Sequence, residues 1–109
     1  MRNYTSEELL RAKTALPPVV QTYLDSKEFQ RAIFNTGTWY KLNLAEIDTL
    51  TRLVTATIAG IERRDAFVDN LATELPNVAI NTRAALFIEV DRWIFQKLKT
   101  LVAESGRTE

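Results

Sequence analysis

Residues 42–60 read LNLAEIDTLTRLVTATIAG, and this stretch decides the fold class. Asn43 followed three residues later by Glu46 is a capping box. The Asn side chain can accept the N–H of Glu46, and the Glu carboxylate can accept the N–H of Asn43. Leu42 and Ile47 flank the cap as a hydrophobic staple. Ile47, Leu50, Val54 and Ile58 then recur at helical spacing, and Gly60 stands where a left-handed C-terminal cap belongs. The β-branched Thr49, Thr51, Thr55 and Thr57 favour a strand, but two helix-end signals and a period near four residues outweigh them. The stretch reads as a helix with both ends marked.

Similar punctuation extends in both directions. Thr5 with Glu8 makes a second capping box, with Tyr4 and Leu9 as its staple, and opens a helix over about 6–15. Pro17 disfavours helical geometry at Leu16 and closes that helix, while Pro17-Pro18 suits the first turn of a short one ending near Leu24. Asp25 with Glu28 repeats the cap pattern and opens a third helix over about 26–40. Its apolar face is Phe29, Ala32, Ile33, Thr36 and Tyr40, and Gly37 is a point where it breaks or bends. Beyond Gly60 a helix over about 62–75 presents Phe67, Leu71 and Leu75 and stops at Pro76. Asn77 caps the last and longest helix, about 78–103. Strand-length alternation and hairpin dipeptides are absent from the sequence. The reading is all-α: a single domain over 4–103, a bundle of five to six helices packed around the long C-terminal helix, with 1–3 and 104–109 frayed.

On the long helix Ile80, Ala84, Phe87, Ile94, Leu98, Leu101 and Val102 make one broad apolar face. Leu86, Val90 and Trp93 widen it sideways, beyond what a small chain needs for its own core. These three are the expected partner interface, with Trp93 as anchor, since tryptophan is enriched among residues that dominate interface energetics. Asp91 falls near the middle of the face and is expected to be a structural buried acid, satisfied by a helix N-terminus or by an arginine such as Arg64.

Composition removes most catalytic classes. The 109 residues contain no Cys and no His, which excludes thiolate nucleophiles, disulfides, Cys/His zinc sites and histidine-based triads. Lys+Arg and Asp+Glu balance at 14 each, against bulk electrostatic binding to nucleic acid or anionic membranes. The three glycines, Gly37, Gly60 and Gly106, are too far apart for a phosphate loop. The carboxylate pairs Glu7/Glu8, Glu46/Asp48 and Glu89/Asp91 are unspecific as acid/base sets. Ala56 and Gly60 have helix-turn-helix spacing, but Asp69 occupies a position that should be apolar. Arg63-Arg64, the adjacent basic pair, is flanked by Glu62 and Asp65.

Leu16-Pro17-Pro18 through Leu24, then Asn43-Leu44-x-x-Ile47, Gly60, Phe67, Leu71 and Asp91-x-x-Ile94-Phe95 together resemble small helical domains without known activity from bacteria with reduced genomes. The resemblance covers about 16–101 and implies a compact helical domain, with no binding or catalytic residues to carry over. The functional expectation is a cytoplasmic, non-catalytic module for protein interaction or oligomerisation, needing no cofactor, metal or membrane. The alternative is a small nucleic-acid-associated regulatory protein.

Overall fold

The computed structural model describes residues 5–107, apart from the side chains of Ser6, Arg64 and 105–107. Every regular element among the described residues is helical: α1 (Ser6–Thr14), α2 (Pro18–Leu24), α3 (Lys27–Trp39), α4 (Leu44–Ile58) and α5 (Phe67–Glu74, after a 3₁₀ turn at Arg64–Ala66) precede the C-terminal part. There α6 (Ile80–Val90), a π-helical turn (Asp91–Phe95) and α7 (Gln96–Arg107) run on as one long helix. It accounts for the 46 Å length of a molecule otherwise about 25 Å across, at about 1.5 Å rise per residue. The helix is continuous to Arg107, into the stretch expected to fray; 1–3, 108–109 and the Tyr4 half of the first staple lie outside the described residues.

Helix α4 forms as its sequence dictates. Asn43 Oδ1 accepts the Glu46 N–H at 2.8 Å and Glu46 Oε1 accepts the Asn43 N–H at 2.9 Å. At the far end Gly60 adopts φ +83°, and the Ile61 N–H reaches the Ala56 carbonyl at 3.0 Å, closing a Schellman turn. Thr49, Thr51 and Thr57 turn their hydroxyls onto the carbonyls four residues back, which lets a threonine-rich segment stay helical without stranding polar groups. Asn43→Ala should therefore cost about 1 kcal/mol, read as a shift in the denaturation midpoint.

Other helix starts depart from expectation. Thr5 accepts the Glu8 N–H, but the cap of α3 is Ser26 rather than Asp25. The Asp25 N–H closes the end of α2 on the Gln21 carbonyl, and its carboxylate pairs with Lys13. Ser26, one residue on, takes the Phe29 N–H at 3.2 Å. Asn77 likewise caps nothing: the long helix starts behind Ala79, which offers no side-chain cap, because Val78 is drawn into the core instead. Helix α5 begins five residues later than expected, since the N–H groups of Ile61 and Glu62 both turn back to Ala56.

Gly37 neither breaks nor bends α3; it is a contact point. A Cβ placed there would lie 2.5 Å from Ile47 Cγ1, so the missing side chain lets α3 and α4 approach closely. Helix α3 runs on to Trp39 and is closed two residues later by Lys41, whose φ of +62° is the left-handed conformation usually given to glycine. The Leu42 N–H then bonds the Gly37 carbonyl at 2.9 Å, and buried Leu42 anchors the turn.

The core joins Ile33 of α3, Leu50, Leu53 and Val54 of α4, Phe67 and Leu71 of α5, and Leu86, Val90, Ile94 and Leu98 of the long helix. Phe67 is its centre, with its ring 5.8 Å from Phe87 and 5.9 Å, edge-on, from Phe95.

The long helix buries Leu86, Val90, Ile94 and Leu98, a strict four-residue spacing. In a straight α-helix three such steps drift by roughly 120° around the axis. Between Asp91 and Phe95 the ladder widens by one residue, with the Gln96 N–H donating to the Asp91 carbonyl. This slower rotation cancels much of the drift and keeps all four on one side.

Candidate partner-binding groove

The π turn also decides what the long helix leaves outside. The expected interface of Leu86, Val90 and Trp93 divides: Leu86 and Val90 are fully buried, whereas Trp93 is 57% exposed. The first two are corrected from interface to core. An unbroken α-helix would have centred the face near Phe87 and Asp91; the buried line runs one residue earlier and is held there by the π turn. For the same reason Asp91 is not a buried acid. It lies half-buried at the edge of the core and accepts a hydrogen bond from Gln96 Nε2 at 3.2 Å. The side chain of Arg64, its suggested partner, lies outside the described residues.

Trp93 does not stand alone. Helix α3 and the long helix run antiparallel. Glu28 near the start of α3 pairs with Lys97 at 3.8 Å, and at the other end 40–43 face 78–82 across a shared concavity. Between the two helices lies an open groove of about 540 Å³, lined among others by Glu28, Arg31, Trp39, Tyr40, Glu89 and Trp93. Trp39 and Trp93 are the only tryptophans in the sequence, and both line this groove. Trp39 is 79% exposed, although an indole is among the most apolar surfaces a chain can offer.

Local structure explains the arrangement. Glu28, Arg31, Asn35 and Trp39 follow one another at three- and four-residue steps along the flank of α3, beside the face that buries Phe29, Ile33 and Thr36. Opposite them Glu89 and Trp93 are one turn apart, and the indole Nε1–H donates to Glu89 Oε2 at 2.8 Å. That bond fixes the ring without covering it. Trp39 and Trp93 stand 54 residues apart in the sequence, and no spacing along the chain marks them as lining one groove.

A second concavity, about 430 Å³, lies between α2, α4 and the long helix and is lined by Val20, Ile58, Phe95 and Lys99 among others. Among the described residues no group of three acidic side chains is placed to hold a metal ion, and no helix is long and apolar enough to cross a membrane. Arg63 is tied to its neighbour Asp65 at 2.8 Å.

The Tyr23 pKa is pushed up to about 12, first by burial and then by the charge of Glu28. Its ring packs edge-on against Phe29 at 5.5 Å, and its hydroxyl finds no hydrogen-bond partner among the described residues. The unfolded chain releases this proton near pH 10, the folded protein near 12. Stability from the neutral phenol is thus present below pH 10 and is lost as the pH rises to about 12. Tyr23→Phe should leave the neutral-pH midpoint within about 1 kcal/mol and flatten the fall between pH 10 and 12 relative to wild type.

The chain matches no protein-family model, no curated protein and no solved structure.

Proposed function

We propose that this chain is a non-catalytic protein-interaction domain and that the groove between α3 and the long helix is its binding face. The observation that carries the reading is the placement of both tryptophans, exposed, on one groove. Large aromatic side chains at a groove supply most of the energy in many protein interfaces. Here they are held by helices that are themselves fixed by the core, so little order has to be gained on binding. In the groove Glu28 is paired with Lys97, and Arg31 lines it alongside Glu89; this mixed charge offers no basic stripe to a phosphate backbone and counts against the nucleic-acid alternative.

A photo-crosslinking amino acid placed at Trp39 or at Trp93 in the full chain, expressed in its native cells, tests this. A discrete covalent adduct is expected from both positions and none from Thr73, exposed on α5. An adduct of twice the chain's mass would identify self-association as the form the interaction takes. No adduct at either tryptophan, or equal labelling at all three positions, would contradict the proposal.

A further inference from the structure

We infer that the groove's occupant is a protein segment presenting a basic side chain, arginine or lysine, between the two tryptophans and over Glu89. The inference rests on the groove being a binding face and adds the chemistry of what fills it.

Glu89 sets the chemistry of the occupant. Because α3 and the long helix are antiparallel, Glu89 lies one turn from Trp93 toward the end where Trp39 stands. Its carboxylate is half-buried and accepts the Trp93 indole N–H, and among the described residues no cation pairs with it. The groove's other carboxylate, Glu28, already has Lys97 at 3.8 Å, and Arg31 stands one turn from Glu28 on α3. An occupant that covers both indoles also covers Glu89. If that occupant were purely apolar, it would strip water from a charge that has no countercharge and give nothing back. An acidic group set over Glu89 would meet a like charge and would find its countercharge at Arg31 instead.

A guanidinium or ammonium group answers all three surfaces at once. Cations sit favourably on the negative face of an indole, within about 6 Å of the ring centre. Such a group also supplies hydrogen-bond donors to the carboxylate, and its aliphatic stem lies along the apolar walls. The Trp93–Glu89 hydrogen bond prepares the site by holding ring and carboxylate in register before anything binds.

Selection of a random peptide library on the immobilised full chain, followed by tryptophan fluorescence titration of the selected peptides, tests the inference. Both indoles lie in the groove, so emission reports occupancy directly. Selected peptides should share an arginine or lysine, and replacing that residue with norleucine should weaken binding about 10-fold. Glu89→Gln, which can still accept the indole N–H, should weaken binding to a similar degree, while Glu74→Gln on α5 should leave it unchanged.

Peptides that need Trp93 but carry no basic residue, or are indifferent to Glu89→Gln, would overturn the inference and leave the groove reading intact. A dimer that Trp93→Glu dissociates, and that excludes peptide, would overturn it in favour of a second copy. Selection no better than on the Trp39→Ala/Trp93→Ala variant would overturn both.

Discussion

Phe67→Ala should destabilise the protein by about 3–5 kcal/mol, measured as the shift in urea midpoint followed by far-ultraviolet circular dichroism. Phe67 is fully buried at the start of α5 and carries two aromatic contacts from the long helix, Phe87 and Phe95. Truncation removes the apolar burial and both ring contacts, and leaves a hole that α4, α5 and the long helix can close only by moving together. Small domains are stable by about 5–15 kcal/mol, so the variant should be partly unfolded near physiological temperature. A shift below about 1 kcal/mol would mean that Phe67 does not sit at the centre of the core.

Leu86→Ala carries the second largest effect, about 2–5 kcal/mol by the same measurement. The prediction separates the π-turned helix from a straight one. With the π turn, Leu86 leads the buried line that continues through Val90, Ile94 and Leu98. With a straight helix that face would centre near Phe87, and Leu86 would lie at its margin with a correspondingly small penalty. Size-exclusion chromatography on the same variant adds a second reading: an interface role would change association with little loss of stability, and a core role does the reverse.

The contrast shows what could be read from residues alone. Capping boxes are local and chemical, so Thr5/Glu8 and Asn43/Glu46 fix helix starts within four residues of chain. Gly60 fixes a helix end in the same way, because few other residues tolerate its backbone conformation. Where local signals compete, tertiary packing chooses: Ser26 over its neighbour Asp25, and Val78 in the core over Asn77 as a cap. Lys41 at positive φ carries no sequence mark at all; buried Leu42 and the Gly37 contact impose it.

The π turn was equally hidden. Its effect on the face of a helix is a rotation, and rotation is what separated buried Leu86 and Val90 from exposed Trp93. The candidate site was half legible: Trp93 could be picked out as an interface anchor and Glu89 stands one turn from it on the same helix, whereas Trp39 joins them only once α3 is laid antiparallel to the long helix. Spacing along one helix says nothing about which flank of another it meets.

The central claim is that Trp39 and Trp93 are held out for binding and are not needed for folding. The urea midpoint of the Trp39→Ala/Trp93→Ala variant, followed by circular dichroism, tests this most directly. With the indoles 79% and 57% exposed, the double variant should fold with a loss of no more than about 1–2 kcal/mol, within the range of surface substitutions plus one lost hydrogen bond. A loss of about 4 kcal/mol or more would place both rings in the core and contradict the account.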